Sequence, residues 1–150
     1  MAPFDYDYVE SLMERIRHIP ETAKPAWGSF TPRQMVSHLA DIVRYSMGRG
    51  PVVPVNAGWF SRWCVAPLLM HGILRPPRNL ALPAELRPGN LPWPPADVED
   101  LHALLEDYLA RVQAGDLRTA PHPAFGDVGI DGWARLHIVH FEHHLRQFCA

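Results

Sequence analysis

The sequence predicts an all-α domain, and three observations carry that reading. Apolar residues recur at spacings of three and four in four separate stretches, each bounded by a helix start or stop signal. No stretch alternates apolar and polar residues with the period of two that a half-buried strand needs. The chain has 150 residues, 47% of them hydrophobic and 20% charged, which suits a single domain spanning 1–150 with its own core. The expected architecture is a four-helix bundle interrupted by a proline-rich crossover.

The first helix begins at Asp5 or Asp7 and places Val9, Leu12, Met13, Ile16 and Ile19 on one side before Pro20 stops it. Its other side carries Glu10, Glu14, Arg15 and Arg17, the pattern of a packing helix. A connector with Pro25, Trp27 and Gly28 leads to Thr31-Pro32-Arg33-Gln34. Thr31 and Gln34 have the spacing of a reciprocal capping box, and Pro32 stands at the first helical position, where a missing amide costs nothing. The second helix is expected to run to about Met47. Met35, His38, Ile42 and Tyr45 share one of its sides, with Gln34 and Asp41 adjoining.

Ten of the sixteen prolines fall between Pro51 and Pro95, which rules out a long uninterrupted helix there. Residues from Trp59 to Ile73 read as a short helix broken near Pro67. Trp59, Phe60 and Trp63 are expected to pack over the bundle, with a lid or a dimer contact as the other readings. The third long helix starts at Asp97 and ends at Gly115, with Val98, Leu101, Leu105, Tyr108 and Val112 on its apolar side; His102 is peripheral. A rigid connector, Pro121-His122-Pro123-Ala124-Phe125-Gly126, precedes a final helix that starts near Gly129.

That final helix holds four of the nine histidines. At about 100° per residue, His140 and His144 lie one turn apart on the same side, with His137 a turn before and Gln147 a turn after. Trp133, Leu136 and Phe141 fall on or beside that side, so the imidazoles lie in the stripe expected to face the core. His143 lies off it and is expected to be solvated. A buried imidazole needs a hydrogen-bond partner or a metal. Two histidines at i and i+4 can converge on one ion, and a third from another helix completes an open triad. His38, midway along its own inward stripe, is the natural third. Gln34, Asp41, Tyr45, His137 and Gln147 are the candidates for orienting ligands or substrate. The competing reading for the same histidines is a satisfied polar core.

Other function classes find less in the sequence. A net charge of −2 and a pI of about 6.5 exert no general pull on nucleic acid or anionic lipid, so neither is an expected partner. Cys64 and Cys149 are too few for a disulfide framework, and a reduced, cytoplasmic setting is expected. The first residues lack the basic-then-apolar order of a signal peptide, and the most apolar run, Gly58 to Leu74, contains Arg62 and Pro67. No nucleophile-elbow sequence supports a serine triad.

Several of these pieces together resemble the DinB/YfiT-like metalloenzyme superfamily, and within it a bacterial branch labelled as a domain of unknown function. They are Trp27-Gly28, Thr31-x-x-Gln34-Met35-x-x-His38, and His122-Pro123-x-Phe125-Gly126 leading to Trp133-x-x-Leu136-His137-x-x-His140-x-x-His143-His144-Leu145-Arg146-Gln147-Phe148. The resemblance implies an up-down-down-up four-helix bundle, commonly dimeric, in which His38, His140 and His144 bind a divalent metal ion, nickel or zinc foremost. It further implies a small-molecule substrate such as a low-molecular-weight thiol, because superfamily members include thiol transferases that use bacillithiol or mycothiol, a maleylpyruvate isomerase among them. The expected function is therefore a metal-dependent transferase or hydrolase that activates a thiol or water. The alternative is a non-catalytic metal-binding or stress-response module.

Overall fold

A computed structural model describes residues 2–150. Five α-helices and no strand occur among them: α1 (Tyr6–Arg17), α2 (Pro32–Ser46), a short α3 (Ala66–Met70), α4 (Val98–Ala114) and α5 (Gly129–Gln147). The start signals act as the sequence predicts. The Asp5 side chain accepts the Tyr8 amide at 2.9 Å and starts α1. At α2 the capping box is reciprocal, with the Gln34 amide donating to Thr31 Oγ1 at 3.1 Å and the Thr31 amide donating to Gln34 Oε1 at 3.0 Å. Asp97 and Asp100 cap α4 in the same way, and Gly115 ends it in the left-handed conformation at φ +70°. There glycine avoids the Cβ clash of any other residue.

The four long helices meet through their apolar stripes, α1 and α2 each packing on both α4 and α5. Val9, Leu12 and Met13 of α1, Met35 and Leu39 of α2, Leu101 and Leu105 of α4 and Phe141 and Leu145 of α5 are all buried in one cluster. Each such side chain removed from water contributes about 1.5–3 kcal/mol, so the stripes hold the helices together where propensity alone would not. One partly buried ion pair ties α1 to α5: Arg15 donates to both carboxylate oxygens of Glu142 at 2.8 and 3.1 Å, and the Tyr8 hydroxyl donates to Glu142 at 3.2 Å.

A second cluster gathers Tyr45, Val53, Ala66, Leu86, Phe125, Trp133 and Leu136, and here the crossover folds against α2 and α5. Two expectations need correction in this region. The helix is not broken at Pro67, because a single π-helical turn, Ser61–Val65, runs directly into α3. Pro67 therefore stands at the junction between the π-helical turn and α3. Nor do Trp59, Phe60 and Trp63 pack over the other helices: they are 72%, 64% and 69% exposed. The inner side of the segment is already taken by Val65, Ala66, Leu69 and Met70, which leaves the aromatic side outward.

Candidate metal centre

His38 comes from the middle of α2, and His140 and His144 come from successive turns of α5. The three rings converge edge-on, with centroids 4.8–5.0 Å apart and planes crossed at 73–84°, so they do not stack. Their ligand-capable nitrogens all lie within 4.8 Å of one another. His38 Nε2 and His140 Nε2 face each other at 3.0 Å. Imidazole nitrogens sharing a tetrahedral zinc ion stand about 3.3 Å apart, so this pair is already close to that spacing.

The third ring is held by a chain of hydrogen bonds whose direction can be deduced. The Trp27 carbonyl can only accept, so the Gln147 amide nitrogen must face it and donates at 2.7 Å. Gln147 Oε1 is thereby turned to His144, where it too can only accept, and His144 Nδ1–H donates to it at 2.8 Å. The His144 proton is thus placed on Nδ1, and the Nε2 lone pair is left for the centre of the cluster. The Gln147 carbonyl also accepts the Ala26 amide at 2.7 Å, which fastens the Ala26–Gly28 connector to the end of α5.

Burial and mutual repulsion keep all three rings in the neutral, ligand form. Burial, followed by His144 and His143, drives the His38 pKa from the ordinary 6.5 to about 3. Burial lowers His144 to about 4 against the opposing hydrogen bond to Gln147, with His143 assisting. His140 is pushed far below its ordinary value by burial and then by His144, His38, His137 and His143. His140 Nδ1 is buried without a hydrogen-bond partner. Such an orphan costs about 1–3 kcal/mol, and a metal at Nε2 would not relieve it, because a ligating imidazole ordinarily donates its other N–H to a partner. The donor set, three neutral imidazoles whose ligand nitrogens lie within 4.8 Å of one another, therefore fits a divalent cation.

The other candidate residues are placed as follows. Gln147 contacts a triad ring directly. Gln34 is exposed and committed to the α2 capping box. Asp41 accepts from Arg44 at 3.3 Å, and the Tyr45 hydroxyl donates to the Pro121 carbonyl at 2.7 Å. His137 is buried among Phe4, Tyr108, Trp133 and Phe141, with Nε2 2.9 Å from Ser46 Oγ, and burial followed by His122 lowers its pKa to about 3. His143 is a correction: it is buried under the Trp27 ring at a centroid distance of 5.4 Å, because the connector that anchors Gln147 also covers this side of α5. Sequence reasoning did not foresee Phe30, whose ring lies 5.2 Å from His38 and 5.8 Å from His144. A lone aromatic in a connector carries no periodic signal to announce such a role.

Glu10, His102 and Glu106 also lie close enough together to hold an ion. Here the protons are already placed otherwise. Arg17 Nη2 lies 3.2 Å from His102 Nδ1 and can only donate, so the His102 proton is on Nε2 and points to Glu10 at 2.7 Å. This is a surface charge network whose ring has no free lone pair for a metal.

No curated protein and no solved structure matches the chain. A family match does exist, and it covers residues 3–150, almost the full length, including the capping box, the triad and the Gln147 relay. The chain therefore belongs to DUF1569, a family described as proteins of unknown function.

Proposed function

We propose that His38, His140 and His144 hold a divalent metal ion, nickel or zinc foremost, and that the protein is a metal-dependent enzyme acting on a thiol or water. The observation that carries this reading is the convergence of three neutral imidazoles from α2 and α5, one of them oriented by Gln147. On the same reading the four long helices form an up-down-down-up bundle of the DinB/YfiT type, with residues 51–95 as its crossover. Support comes from the packing of α1 and α2 on α4 and α5 and from the motif residues His38, His140, His144, Gln147 and Trp27, which lie at the triad or its anchor.

The protein's own groups divide the work. Gln147 fixes the tautomer of His144, and the Trp27 carbonyl fixes Gln147. Phe30 sets an apolar ring against both His38 and His144, at 5.2 and 5.8 Å. Three protein ligands leave coordination positions for a small molecule. A divalent ion bound there lowers the pKa of a thiol or water toward neutrality.

The test is metal analysis of protein purified without a histidine tag, beside the His38→Ala, His140→Ala and His144→Ala variants. About one ion per chain is expected in the parent and little in any variant. Undiminished metal in folded variants would eliminate the triad. Turnover of electrophilic substrates with thiols, abolished by chelation and restored by metal, identifies the enzyme. Metal binding without turnover identifies a non-catalytic binding or stress-response module.

A further inference from the structure

The helical segment Trp59–Met70 is apolar on both sides. Val65, Ala66, Leu69 and Met70 face the second core cluster, while Trp59, Phe60, Trp63 and Leu68 are exposed. Backbone bonds from the Ile73 and Leu74 amides to the Leu68 carbonyl, at 2.9 and 3.1 Å, fold the exposed Ile73 and Leu74 back beside Leu68. Of the ten large hydrophobic residues exposed among the described residues, nine lie between Val52 and Leu80. A short helix with apolar residues both toward the core and toward solvent is ordinarily covered on its outer side as well, and a concentration of exposed large hydrophobics marks an interaction site.

Charge identifies what covers it. Between Pro51 and Pro95 stand Arg62, Arg75, Arg78 and Arg87 against the single Glu85, a net charge of +3, so the remainder of the chain carries −5. All four arginines are exposed, and none is ion-paired among the described residues. Arg78 lies over the Trp27 ring at 4.3 Å. We propose that this face docks on the surface of an anionic lipid bilayer, with Trp59, Phe60 and Trp63 entering the headgroup layer and the arginines meeting lipid phosphates. Tryptophan and phenylalanine interleaved with arginine is the composition of an interfacial segment. A second copy of the chain is a poorer occupant, since it would bring together two segments that each carry a net charge of +3. A peptide partner is also poorer, because these side chains protrude and are exposed on their outer side. None of the helices among the described residues is long and apolar enough to cross a membrane, so the contact is with the surface only.

The experiment is co-sedimentation of the full chain with vesicles of phosphatidylcholine alone or mixed with phosphatidylglycerol. Binding to the anionic vesicles only is expected, weakening with salt. It should fall about fivefold for each arginine lost in Arg62→Gln and Arg75→Gln. It should fall by about tenfold or more in a Trp59→Ser/Phe60→Ser/Trp63→Ser variant, whose substitutions are at exposed positions and whose fold circular dichroism checks. Absence of binding to anionic vesicles, or equal binding to neutral ones, overturns the proposal. A parent dimer that the aromatic variant converts to monomer would overturn it as well and assign the face to a second copy.

Discussion

Gln147 is the residue on which the orientation of the site turns, because its amide passes a direction from a backbone carbonyl to an imidazole. Replacing it with methionine keeps the volume and removes both hydrogen bonds. We expect metal affinity to fall about 10–100-fold in Gln147→Met with the fold retained, measured by chelator competition. Unchanged affinity would leave Gln147 as a packing residue only. Gly28 is linked to the same relay. It sits at φ +74°, and a Cβ there would stand 2.9 Å from Gln147 Nε2. In Gly28→Ala the left-handed backbone alone costs about 1–2 kcal/mol, and the methyl group pushes on the amide that orients His144. Both a lower melting temperature and weaker metal binding are expected; loss of stability with no change in binding would separate Gly28 from the site.

At the scale of elements, the helices that carry the three converging histidines are those with the clearest signals. Thr31-Pro32-x-Gln34 announces the start of α2 and sets the register that places His38 inward, one turn after Met35 and Gln34. Thr31→Ala should cost about 1 kcal/mol in chemical denaturation, since one orphan amide loses its acceptor. An effect near zero would mean that water replaces the cap. The i, i+4 spacing of His140 and His144 was equally legible, because helical geometry alone puts them on one side. The crossover was not. Its prolines exclude a long helix, but they do not say which side of a short one will be covered, and His143 was misjudged for the same reason. Its burial depends on a connector more than a hundred positions away, which no helical period records.

For the molecule as a whole, acid should be destabilising. His137 is fully enclosed, and its folded pKa of about 3 lies below the ordinary 6.5. Between those values the unfolded chain binds a proton that the folded chain refuses, so stability is intact above about 6.5 and falls as pH drops toward 3. The slope from this residue reaches ~1.4 kcal/mol per pH unit. Denaturation midpoints recorded from pH 7 to pH 4 should decline, and His137→Phe should flatten part of the decline. An unchanged acid limb in that variant would place the effect on other groups. Net charge, by contrast, is a poor guide at this scale, because the sum of −2 conceals a cationic crossover on an acidic body.

The sequence by itself determined the all-helical class, the places of the four long helices though not the end of the first, which stops at Arg17 short of Ile19, and the two histidine-bearing sides that had to face inward. Those features follow from local periodicity and from caps that act within a turn or two. Only the tertiary structure decided that the rings meet edge-on, that Gln147 takes its direction from Trp27, and that three crossover aromatics are left in solvent. Each of these depends on contacts between segments far apart in the chain, where the winning arrangement is set by competition for shared core surface and for single hydrogen-bond partners.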